Sequence, residues 1–172
     1  LRQVWNGYFN MEGWHYEDFF FKELMPAVEK EYRAGGSREQ RAVAGLSMGG
    51  GGSVNYALRY PDMFCACYAM SAWLGMDQQL GGNPKDPESK FSLLTKAVAE
   101  LSAVKLLEAK DKEELKKLHS VAWFIDCGDD DFLLEQSEQL HMKMRHLRIP
   151  AQFRVRDGNH NWEYWHNSLR WC

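Results

Sequence analysis

The stretch Val43-Ala44-Gly45-Leu46-Ser47-Met48-Gly49-Gly50 constrains this chain more than any other. It reads as a strand, a sharp turn carrying a serine, and the start of a helix. Residues 41–46 alternate and end apolar, as a buried strand does, and residues 53–59 continue as a helix that stops at Tyr60-Pro61. Gly45 and Gly49 flank Ser47 in a G-x-S-x-G pattern, whose small neighbours let strand and helix approach closely while the serine is lifted to the sheet edge. The same turn aims a helix N-terminus at the site, so the Met48 N–H is placed to stabilise an oxyanion. A glycine-rich turn that only packs a helix on a sheet would look similar. The strand–turn–helix context favours a nucleophilic Ser47.

The rest of the chain supplies what such a turn needs. Its 172 residues, 45% hydrophobic and 26% charged, suit one domain with a sizeable core. A net charge of −3 gives no reason to expect nucleic acid or an acidic membrane as partner. No apolar run approaches the roughly 18 residues of a membrane span, and the first residues lack the layout of a signal peptide. The four cysteines, Cys65, Cys67, Cys127 and Cys172, form no C-x-x-C and read as small core residues rather than a disulfide framework or zinc site.

Along the chain, residues 1–14 read as an aromatic, Gly/Asn-rich loop. Residues 17–33 read as a helix, with Phe20, Phe21, Leu24, Met25 and Val28 at helical spacing and Pro26 as a kink or break. Residues 64–71 form a second strand, and residues 75–89 a loop broken by Gly81-Gly82-Asn83-Pro84 and Pro87. A helical excursion spans about residues 75–120, with one helix on Leu93, Leu94, Ala97 and Leu101 and a charged one over 110–118. A strand at 121–127, a helix at 132–147, a strand at 149–156 and an aromatic-rich helix at 161–170 complete the pattern. Strands alternating with helices predict an α/β fold with a mostly parallel sheet flanked by helices.

Functional residues of a parallel sheet gather in the loops at the carboxyl ends of its strands. After the Ser47 strand, two such loops carry suitable chemistry: Gly128-Asp129-Asp130-Asp131 and Asp157-Gly158-Asn159-His160. A serine hydroxyl becomes a useful nucleophile only when a base takes its proton, and a carboxylate fixes the tautomer of that base. His160 would be the base, or else a solvent-facing loop histidine. Asp129, Asp130 and Asp131 compete for the acid, Asp131 being equally suited to cap the helix that follows, and Asp157 lies beside His160. Asp126 falls within the strand and is less able to reach. His15, His119, His141, His146 and His166 show no metal-ligand spacing, so no metal site is expected.

Three blocks, residues 44–50, 125–133 and 156–165, together with Lys22-Glu23-Leu24-Met25-Pro26, resemble the esterase family of α/β hydrolases that includes feruloyl esterases, acetyl xylan esterases and esterase D. The resemblance implies the α/β-hydrolase fold, with Ser47 as nucleophile, His160 as base and Asp131 as the acid. It implies no cofactor, and a carbohydrate-linked ester as substrate, typically a feruloyl or acetyl group on plant xylan, with a short-chain or thioester substrate as the alternative. Trp162 and Trp73 are candidates to line the acyl cleft, with core packing as the competing role. The family inclines the localisation to secreted or periplasmic.

The chain also departs from that pattern. Only residues 1–40 precede the elbow strand, so the family's early strands and the loop that supplies a second oxyanion donor are not accounted for. The expectation is an α/β-hydrolase lacking its N-terminal part, with a sheet edge and an apolar face left open. A homodimer that covers the open sheet is therefore predicted. Size-exclusion chromatography tests this, and a well-behaved monomer would overturn it.

Overall fold

The computed structural model describes residues 8–11, 13–75 and 85–170. A short antiparallel pair, β1 (Asn10–Met11) and β2 (Trp14–His15), opens the described chain around Gly13. These residues read as loop in the sequence, because two-residue strands are too short to show a period. Next come helix α1 (Tyr16–Phe19), a π-helical turn (Phe20–Leu24) and helix α2 (Met25–Tyr32). The widened turn lies directly before Pro26, whose ring nitrogen cannot donate to the preceding helical turn. Thus the interruption expected at the proline is a change of helical pitch rather than a break.

Strand β3 (Ala42–Leu46) leads through Ser47 into α3 (Met48–Arg59). The helix starts directly after the serine, as the strand–turn–helix pattern predicts, although Gly49 to Gly52 are poor helix formers by propensity. Packing overrides that propensity: a methyl group on Gly51 would stand 1.9 Å from the Trp73 carbonyl oxygen. Then follow β4 (Ala66–Met70), α4 (Lys90–Glu100), α5 (Ala103–Glu108), α6 (Lys112–Leu118), β5 (Ala122–Gly128), α7 (Leu134–His146), β6 (Ala151–Arg156) and α8 (Trp162–Leu169). The excursion thus contains a third helix, α5. At six residues it is too short for periodicity to reveal. It is not peripheral either, since Ala103 and Leu107 belong to the main core. The Gly81–Pro84 breakers and Cys172 lie outside the described residues.

Strands β3 to β6 form one parallel sheet in the order β3-β4-β5-β6. Crossovers between parallel neighbours are right-handed, so a monotonic strand order sends the connecting helices to one face. The packing agrees. Val54 and Leu58 of α3, Leu107 of α5, and Leu140 and Met144 of α7 bury one face against Cys67, Ala69, Trp123 and Ile125. On the other face α8 brings Tyr164 and Trp165 onto Tyr68 and Met70, while Ala42 and Ala44 of β3 and Ala122 of β5 remain exposed. Of the cysteines, Cys67 and Cys127 are buried and free, and burial, aided by the nearby Asp131 charge, pushes the Cys127 thiol up to about 12.

The second face rests on a buried charge. Asp126, fully buried in β5, accepts hydrogen bonds from Tyr68 Oη of β4 (2.9 Å), from Tyr164 Oη (2.5 Å) and Ser168 Oγ (3.2 Å) of α8, and from Arg156 Nη2 of β6. Burial first, then the neighbouring carboxylate, pushes the Tyr68 phenol up to about 12, so it remains a donor. Removing one partner of a buried, hydrogen-bonded pair leaves the other uncompensated. Asp126→Ala is expected to lower the unfolding free energy by about 3–5 kcal/mol, and Tyr68→Phe by about 1 kcal/mol, in urea denaturation followed by circular dichroism.

Candidate active site

The sheet register sets the site. Leu46 pairs with Met70, Met70 with Asp126 and Asp126 with Arg154, so the strands end nearly level and their following loops open at one edge. Ser47 takes φ 55° and ψ −121°, a conformation that L residues rarely adopt. Its N–H donates to the Met70 carbonyl at 2.9 Å, and its carbonyl accepts from Trp73 N–H (2.9 Å) and Gly51 N–H (3.1 Å). A side chain at Gly45 would meet the Gly49 carbonyl at 2.2 Å, so this residue has to be glycine for strand and helix to close on each other. Met48 begins α3, and its N–H belongs to the first turn, whose amides have no carbonyl partner within the helix.

The loops after β5 and β6 are stitched together. Asp129 N–H donates to the Arg156 carbonyl (3.0 Å), Asp130 N–H to the Gly158 carbonyl (3.0 Å), and Gly158 N–H to Asp129 Oδ1 (2.9 Å). Asp131 turns the other way and is buried, with its Oδ1 accepting from Leu133 N–H at 2.9 Å. His160 Nδ1 lies 3.0 Å and 2.9 Å from the two Asp131 carboxylate oxygens, and its Nε2 lies 2.9 Å from Ser47 Oγ. The structure therefore brings Ser47, His160 and Asp131 into one hydrogen-bonded line. Asp129 is used by the backbone, while Asp130 and Asp157 are exposed. In such a line a hydroxyl proton can pass to the outer imidazole nitrogen while the carboxylate fixes the inner N–H.

Two aromatic side chains that the sequence reading did not single out hold the imidazole. The Phe132 ring centroid is 4.6 Å from that of His160, and Trp165 meets it edge-on at 4.8 Å while donating Nε1–H to Ser71 Oγ at 3.0 Å. Phe132 follows Asp131 directly, and Trp165 sits one helical turn beyond Trp162. Their positions were visible in the sequence, but their contact with His160 depends on two loops closing. Trp162 is 73% exposed, which excludes the core-packing role considered for it. Trp73 is half-buried and, with Tyr8, Phe9, Met48, Gly51 and Val98, lines a narrow apolar cavity of about 20 Å3, the scale of one water molecule. Among the described residues no group of histidine, cysteine, aspartate and glutamate is arranged to hold a metal ion.

The model of the family described as Putative esterase matches residues 9–170. The chain belongs to this family. A solved structure of a ferulic acid esterase superposes with a TM-score of 0.92 at 54% identity, covering 99% of this chain and 64% of that one. An acetyl esterase of Caldicellulosiruptor saccharolyticus is 23% identical over 91% of this chain and 63% of its own length. An S-formylglutathione hydrolase of Staphylococcus aureus shares the fold, with a TM-score of 0.73 at 21% identity. The chain thus spans somewhat under two thirds of these relatives. Within this esterase family, the four-stranded parallel sheet flanked by helices is the α/β-hydrolase architecture expected from the sequence.

Closure of the two loops depends on Gly128, where a side chain would stand 2.2 Å from the Gly158 carbonyl oxygen. Gly128→Ala is expected to push the His160 loop away from Asp131 and to cost about 1–3 kcal/mol of stability. Thermal melting and a structure of the variant would check this, and an unchanged His160–Asp131 distance would count against it.

Proposed function

We propose that this chain is the part of a serine esterase that carries the reactive groups, acting on feruloyl or acetyl esters of plant polysaccharide. The observation that carries this reading is the line Asp131–His160–Ser47, with 2.9 Å from Nε2 to Oγ. Its neighbourhood supports the same chemistry. His160 is largely shielded and Asp131 fully so, a low-dielectric setting in which the carboxylate–imidazole pair is strengthened.

In this mechanism Ser47 Oγ attacks the ester carbonyl carbon while His160 Nε2 takes the hydroxyl proton. The oxygen of the tetrahedral intermediate is held by the Met48 N–H at the start of α3. The protonated Nε2 then delivers its proton to the leaving alcohol oxygen, the C–O bond breaks, and an acyl-Ser47 remains. Water, deprotonated by His160, attacks the acyl carbon, and the acid departs as Ser47 regains its proton. Asp131 stays ionised throughout and stabilises the imidazolium. Every proton is accounted for within the chain and its substrate, so no cofactor is required. The choice of acyl group is supported by similarity to a ferulic acid esterase and an acetyl esterase. The homodimer belongs to the same reading, with the exposed Ala42 and Ala44 of β3 as its place.

Labelling with a fluorophosphonate probe tests the proposal. The chain is expected to label, Ser47→Ala to lose labelling entirely, and His160→Ala to slow it about 1,000-fold. A folded sample that does not label, yet still binds xylan fragments, would replace this reading with a non-catalytic carbohydrate-binding one.

A further inference from the structure

Two large aromatic side chains beside the site are left in solvent. Phe132 is 74% exposed and Trp162 73%, matched among the described large hydrophobic residues only by Tyr32 of α2. Both belong to one aromatic run that passes through the imidazole. Phe132 lies 4.6 Å from His160, and on the other side His160 meets Trp165 (4.8 Å), which meets Trp162 edge-on (5.4 Å, 86°). Buried Trp165 thus links the imidazole to Trp162, and the two exposed rings are the ends of the run. Exposed aromatic faces of this size are unfavourable in water unless something covers them.

The chemistry of the site says which part of a substrate would come here. Resting on the esterase reading above, the acyl carbon is at Ser47 Oγ and the carbonyl oxygen at the Met48 N–H. The leaving oxygen must then lie within hydrogen-bond reach of His160 Nε2, because that nitrogen returns the proton to it. The alcohol portion therefore leaves the reacting carbon on the imidazole side, where Phe132 lies against His160 and Trp162 is joined to it through Trp165. The acyl portion takes the remaining direction at that carbon, away from both the Met48 N–H and His160 Nε2. A sugar ring presents a face of C–H groups that packs on an aromatic ring while its hydroxyls stay in water, so a half-wet aromatic pair suits it better than a wholly apolar alcohol.

We propose that Phe132 and Trp162 form a subsite for the sugar unit of the leaving alcohol, stacking on it as His160 donates its proton. The subsite makes the protein prefer esters of a carbohydrate over esters of a small alcohol carrying the same acyl group. Phe132 also rests against the imidazole, so its removal affects all esters alike, and only the preference between alcohols reports the subsite.

The test compares kcat/KM for a feruloylated xylan oligosaccharide, for methyl ferulate and for methyl acetate. The readout is the ratio of the oligosaccharide ester to methyl ferulate. Trp162→Ala and Phe132→Ala are each expected to lower that ratio about 3- to 10-fold, through KM for the oligosaccharide, and Trp162→Phe to restore most of it. A ratio within twofold of the unmodified chain in both alanine variants would overturn the subsite. So would a loss that follows ferulate against acetate rather than sugar against methyl, since the aromatics would then hold the acyl group. If the unmodified chain hydrolyses none of the three esters, the esterase reading itself fails, an outcome distinct from either.

Discussion

The backbone of Ser47 is the constraint on which the arrangement depends. A non-glycine residue at φ 55° and ψ −121° costs on the order of 1–3 kcal/mol and persists only where its surroundings over-determine it. Here they do. Its N–H and carbonyl are both committed, to Met70 at the end of β4 and to Trp73 and Gly51 beyond. The turn cannot relax without releasing the end of the neighbouring strand. The same crowding explains two of the glycines: the close crossing of β3 and α3 leaves no volume for a Cβ at Gly45, and the Trp73 carbonyl leaves none at Gly51.

Holding His160 opposite that serine is a separate problem, solved from the other end of the sheet. The histidine sits on a loop, where mobility is the default. Two devices restrain it. Backbone hydrogen bonds tie its loop to the one carrying Asp131, and α8 presses Trp165 against the ring. Helix α8 is anchored in turn by Tyr164 and Ser168 on Asp126. A buried carboxylate two strands from Ser47 therefore fixes the helix that steadies the imidazole. The paired Arg156 and the hydroxyl donors make that charge tolerable in a core.

How much of this was legible in the sequence follows from the range of each interaction. The turn at Ser47, the alternation of strands and helices, and the order of serine, acid and histidine are local patterns, and the fold they imply is the one observed. The two-residue strands β1 and β2 and the six-residue helix α5 escaped because each holds less than two periods of its own structure. The long-range pairings were not legible. Asp126 read only as a strand residue less able to reach the histidine, because its four donors, Tyr68, Arg156, Tyr164 and Ser168, lie 30 or more positions from it in sequence, on three other elements. Phe132 and Trp165 likewise gain meaning only when the β5 and β6 loops meet.

The three consecutive aspartates show the same limit at the scale of one turn. By composition Asp129, Asp130 and Asp131 are equivalent, and a helix cap or an imidazole partner could be drawn from any of them. Geometry separates them because successive residues of a tight turn point in different directions. Asp129 faces the Gly158 amide, Asp130 faces water, and Asp131 faces inward. Of the two roles weighed for Asp131, the helix cap is not the one it takes, since Leu133 occupies the N-cap position of α7 without a side-chain cap, but Asp131 still holds the turn that leads into the helix. Its Oδ1 accepts from Leu133 N–H just ahead of α7 while both oxygens address His160 Nδ1. An acceptor shared in this way is fixed by the helix start before it meets the imidazole, which lowers the entropy lost on pairing. The turn contact to Leu133 thus serves the site by fixing the carboxylate that His160 meets.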